Sequence, residues 1–96
     1  MPSFRITLTV GALRVGVAAD SVVPVAARAA SALTTVEAAE LAVVAGSARV
    51  VVRFAAEGAA EALQVGHQVR AATLAVAEVT GAQVTERVKS RWVPVQ

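Results

Sequence analysis

An α+β fold with one antiparallel sheet is what this sequence predicts, and three observations carry the prediction. Residues 4–10 alternate apolar and polar side chains, and residues 48–56 alternate again, which is the period of a half-buried strand. Apolar residues recur every three or four positions between residues 22 and 33 and again from residue 59 onward, the period of an amphipathic helix. Charged residues interrupt every long apolar run, so no stretch of about 18 apolar residues is present to span a membrane.

Taken in order, Phe4, Ile6, Leu8 and Val10 share one side of the first strand, and Arg5, Thr7 and Thr9 the other. Gly11 and Gly16 punctuate the connection that follows. Asp20 or Ser21 is suited to cap a helix, with Pro24 tolerated in its first turn. Val22, Val25, Ala26, Ala29 and Leu33 form its apolar stripe, and the β-branched Thr34 and Thr35 end it. Residues 36–45 read as a second strand, Gly46-Ser47 as a turn, and residues 48–56 as a third strand. Val50, Val52 and Phe54 face one way there; Arg49, Val51 and Arg53 face the other.

Around Gly58 the period changes from 2 to 3.6. A long helix is predicted over residues 59–80, closed by Gly81 as a C-cap. Its stripe of Ala62, Val65, Val69, Ala72, Val76 and Val79 is expected to pack on the sheet. Residues 83–90 read as a fourth strand. Trp92-Val93-Pro94-Val95 then forms an apolar tail.

The resulting β-α-β-β-α-β order is that of a ferredoxin-like plait: a four-stranded antiparallel sheet with two helices on one face. The expected strand order is fourth, first, third, second. Residues 1–91 make the single domain and residues 92–96 the tail. Phe4, Ile6, Leu8, Val50, Val52, Phe54, Val65, Val69, Val76 and Val84 are the expected core. The segments "ARVVVRF" and "EVTGAQVTERV", with a helix between them, resemble the strand–helix–strand end of bacterial alkaline-shock (envelope-associated) proteins over about residues 48–88. The leading strand departs from that family, and no function is carried over from it.

Composition bounds the function. The chain has 96 residues, 56% hydrophobic but only 3% aromatic, with a mean hydropathy of +0.64. Ala and Val supply most of the apolar content, and small side chains each bury little area. A lone monomer of this kind has a thin stability margin, which points toward an oligomer or a partner. There is no cysteine, so disulfides and thiolate metal sites are excluded. No basic stretch leads into an uninterrupted apolar run near the N-terminus, and a cytoplasmic protein is expected.

The residues for catalysis are sparse. His67 is the one histidine and Asp20 the one aspartate, so no Ser-His-Asp set can be assembled. The helical neighbours of His67 are Leu63, Arg70 and Leu74, none of them a metal ligand. Glu57 and Glu61 sit where carboxylates favour a helix N-terminus. No phosphate-loop or dinucleotide glycine pattern occurs. Neither an enzyme nor a cofactor or metal site is expected.

Two surfaces rise above this background. Leu63, His67, Arg70 and Leu74 lie nearly opposite the sheet-facing stripe of the long helix. With Trp92 they form a candidate protein–protein interface, for a homo-oligomer or a protein partner. The second is the open sheet face, where Arg5, Arg49, Arg53, Arg87 and Lys89 are expected to point, with Arg91 extending the set. Glu40 is the one acid placed among them, while Glu86 is expected to point inward or sit at a bulge. An anionic ligand or nucleic acid is the alternative partner for this face. The aromatics on which plait-type RNA binders stack bases are missing from it. The leading expectation is a non-catalytic structural or interaction module that self-associates or docks on a protein partner.

Overall fold

The computed structural model describes residues 1–95. Gln96, the last residue of the expected tail, lies outside the described residues. Two helices and five strands follow in the order β1 (Ser3–Leu13), α1 (Val22–Ser31), β2 (Val36–Val44), β3 (Ser47–Ala55), α2 (Ala59–Leu74), β4 (Ala77–Val88) and β5 (Arg91–Pro94). A single 3₁₀ turn, Ala19–Ser21, precedes α1. The strands form one sheet in the order β2-β3-β1-β4-β5, every neighbouring pair antiparallel. The sheet therefore has five strands where four were expected, and β5 alters the order from that of the four-stranded plait. Among the described residues no helix is long and apolar enough to cross a membrane.

Alternation sets the sheet's two faces. Phe4, Ile6 and Leu8 pair with Phe54, Val52 and Val50 across β1 and β3, and all six are buried beneath the helices. The rings of Phe4 and Phe54 stack with centroids 6.1 Å apart, within the usual range for aromatic pairs. From above, α1 packs on β2 and β3 while α2 packs on β1 and β4. Of the expected core, Val76 alone is only half-buried.

Several element ends differ from expectation. Pro24 sits in the first turn of α1, where its missing N–H has no helical partner to lose. Ser21 does not cap that helix; its hydroxyl donates to the Ala18 carbonyl at 2.7 Å. The buried stripe of α1 is Val22, Ala26 and Ala30, and Leu33 lies beyond the helix, 51% exposed.

The larger correction is to α2, which stops at Leu74 rather than at residue 80. Val76 and Val79 are not part of its stripe, and Gly81 is a strand residue opposite Thr9, not a C-cap. The residues that follow pair with β1 instead, Ala77 with Leu13 and Val79 with Val10, and Arg14, just past β1, contacts the end of the helix. The Arg14 N–H donates to the Val76 carbonyl at 2.9 Å, and the Arg14 Nε donates to the Leu74 carbonyl at 3.1 Å. A guanidinium on the carbonyl of the last helical residue satisfies one free acceptor of the helix C-terminus and complements its dipole. The stripe of α2 that faces the sheet is Ala62, Val65, Gly66, Val69 and Thr73, and Thr73 returns its hydroxyl to the Val69 carbonyl at 2.8 Å.

At the C-terminus, β4 turns at Lys89-Ser90 and β5 runs back along it, pairing Arg87 with Trp92 and Val88 with Arg91. The expected apolar tail is thus largely a sheet strand. Lys89 sits in the turn with a φ of 58° rather than on the strand face to which alternation assigned it.

Candidate functional site

The flank of α2, rather than the side opposite the sheet that was expected for these residues, and the β4–β5 hairpin enclose an open cleft of about 550 Å³. Spacings of four, three and four bring Leu63, His67, Arg70 and Leu74 onto one side of the helix, and all four line this cleft. Opposite them stand Ala82, Val84 and Val95. The cleft exists because two helices cannot cover five strands, and because the residues at the seam are small. Gly66 lets α2 approach β4 so closely that a Cβ there would lie 2.7 Å from Val84 Cγ2. Beyond that point the hairpin runs out from under the helix, leaving Ala82 exposed on the helix side of the sheet.

Four of the five expected interface residues therefore meet. Trp92 does not join them. Pairing with Arg87 places it on the sheet face away from the helices. There the Arg5 guanidinium lies 4.0 Å from the ring centroid and that of Arg53 lies 5.4 Å away. The ring is half-buried beneath two cations instead of bridging Leu63 and Leu74. Val95 is the tail residue that returns to the helix side, held by its N–H to the Val84 carbonyl at 2.9 Å.

Arg5, Arg49, Arg53 and Arg87 share the open face, as strand pairing requires. Their charges are not all free. Arg53 Nε is 2.8 Å from Glu37 Oε1, and Ser3 donates its hydroxyl to the same oxygen at 2.9 Å. A bulge between Val36 and Ala38 brings Glu37 there, an acid that strict alternation along the strand could not assign to this face. Arg87 Nε donates to the Lys89 carbonyl at 3.3 Å. Arg49 differs from the others: its Nε is buried and has no hydrogen-bond partner.

A third feature was not anticipated. On the helix side, the far ends of β1 and β2 extend past α1. Leu13 is 42% exposed, Leu41 55% and Val43 71%. A shallow recess of about 180 Å³ lies among Val10, Leu13, Val22, Val23 and Leu41. The signal available in sequence was the run Leu41-Ala-Val-Val44, apolar on both strand faces and too long for one helix to cover.

Among the described residues no three His, Asp or Glu side chains cluster in a way that could hold a metal ion. His67 lies exposed at the cleft rim. No family model, curated protein or solved structure matches the chain. The likeness of residues 48–88 to alkaline-shock proteins thus remains one of spacing, though a strand, a helix and a strand do follow there in that order.

Proposed function

We propose that this chain is a non-catalytic interaction module, on a ferredoxin-like plait extended by β5, that self-associates and offers a docking cleft to a protein partner. Uncovered apolar surface carries the reading. Leu13, Leu41 and Val43 stand exposed beside one another at one end of the sheet, and clustered exposure of this kind marks contact surfaces more often than isolated exposed leucines do. The α2 cleft suits a different occupant. Its walls are apolar and its rim carries Arg70 and His67, which fits an apolar side chain of a protein partner with a carboxylate beside it.

This reading is preferred to anion binding on the sheet face. Arg53 is neutralised by Glu37, Arg5 lies over Trp92, and Lys89 stands in a turn. Size-exclusion chromatography with light scattering at high micromolar concentration tests the self-association. An assembly larger than one chain is expected, and a clean monomer overturns it.

A further inference from the structure

The two edges of the sheet are not equivalent. The β5 edge is four residues long and contains Pro94, which has no N–H to offer a further strand. The β2 edge runs nine residues, Val36–Val44, with neither proline nor lysine, and its one bulge affects only the start. Ala45 and Gly46, at φ 51° and 80°, make the two-residue turn into β3. Val44 and Ser47 are then the hydrogen-bonded pair that closes it. Bonding alternates from there. Ala42 and Glu40 turn their backbone groups to β3, while Val43, Leu41 and Ala39 turn theirs to the open edge.

We propose that β2 pairs antiparallel with β2 of a second copy, about a two-fold axis through Leu41, so that the two sheets become one. The proposal rests on the self-association reading and names its surface. In this register Leu41 faces the second copy's Leu41, and Ala39 faces its Val43, so every outward backbone group from Ala39 to Val43 is used. Moving the register two residues one way sets Glu40 against Glu40, like charges in a closely spaced pair. Moving it the other way leaves Ala39 facing the turn.

Charge supports the same register. It puts Glu40 opposite the second copy's Ala42, and behind that alanine, in the same cross-strand row, stands Arg49. Strands lie about 4.8 Å apart, so the two Cα atoms are about 10 Å apart, with only a methyl group between them. That gap suits two long side chains. Among the described residues the one ion pair is Arg53–Glu37, so Glu40 and Arg49 are both left without one inside the chain, and Arg49 Nε has no hydrogen-bond partner. Two-fold symmetry makes the Glu40–Arg49 bridge twice.

Light scattering on variants tests the proposal. The wild type is expected to be a dimer. Leu41→Lys is expected to weaken it by at least about tenfold, because each copy loses an apolar contact and gains an opposed charge, while circular dichroism stays native. Should Leu41→Lys unfold, Val43→Lys replaces it at a site 71% exposed. Leu74→Glu, in the α2 cleft, is expected to leave the dimer intact. Glu40→Arg is expected to weaken the dimer, and adding Arg49→Glu to restore it. A wild-type monomer overturns both this proposal and the self-association reading. A dimer that survives the lysine substitution overturns the β2 assignment alone, as does one broken by Leu74→Glu. A charge swap that fails to restore dimerisation overturns the register.

Discussion

Gly66→Ala sets two opposing effects against each other, and packing decides the sign. In an unobstructed helix interior, alanine is favoured over glycine by about 1 kcal/mol. Here the added Cβ would lie 2.7 Å from Val84 Cγ2 and 3.4 Å from Ile6 Cδ1. Both neighbours are nearly fully buried. Val84 is β-branched and stiff, and its strand is held between β1 and β5, so it cannot swing clear. Overpacking of this kind costs about 1–3 kcal/mol. The net expectation is a loss of about 1 kcal/mol, which lowers the melting temperature by roughly 4–8 °C in a domain of this size. Urea unfolding followed by circular dichroism measures it. In a Val84→Ala background the obstruction is gone, and Gly66→Ala is expected to change sign and stabilise by up to about 1 kcal/mol. If Gly66→Ala stabilises the otherwise unaltered protein, the close approach of α2 to β4 is wrong.

Two further perturbations probe the core and the open face. Phe54→Ala removes a fully buried ring stacked on Phe4 and is expected to cost about 3–5 kcal/mol in the same urea assay; a loss under about 1 kcal/mol would place Phe54 outside the centre of the core. Arg5→Ala uncovers the one tryptophan of the chain, so its fluorescence emission is expected to move to longer wavelength with little change in stability. An unmoved emission maximum would show that the guanidinium does not shield the ring.

What could be read in the sequence was what alternation encodes directly. The inward set Phe4, Ile6, Leu8, Val50, Val52 and Phe54 follows from parity alone, and so does the outward set Arg5, Arg49 and Arg53. The end of α2 could not be read, because residues 72–79 satisfy two periods at once. Ala72, Val76 and Val79 continue a helical stripe, while Ala77 and Val79 begin a strand. The choice between them is made by β1, more than 60 residues away in sequence, whose Val10 and Leu13 pair with Val79 and Ala77.

The fate of Trp92 was hidden for a related reason. The turn at Lys89-Ser90 has no Gly or Asn, the residues that usually adopt positive φ, so nothing local announced that the chain would reverse. The cleft residues on α2 were legible from helical spacing. The place of β2 at an edge also followed from the plait order; that β5 covers the other side of β4, and so leaves β2 as the longer open edge, did not, because it depends on the turn at Lys89-Ser90.

The sheet places the chain's first strand at its centre. Phe4 pairs with Phe54 on one side and with Glu86 on the other, so β1 must wait for partners that emerge from the ribosome much later. Pairings so distant in sequence slow folding. The β2–β3 hairpin, closed by its two-residue turn, can form before β1 docks, and β4, the other partner of β1, emerges later still. Through that interval Phe4, Ile6 and Leu8 are open to any other strand edge in the vicinity. Arg5 then matters before the native sheet exists: a charge set within the waiting strand opposes its pairing with another apolar edge.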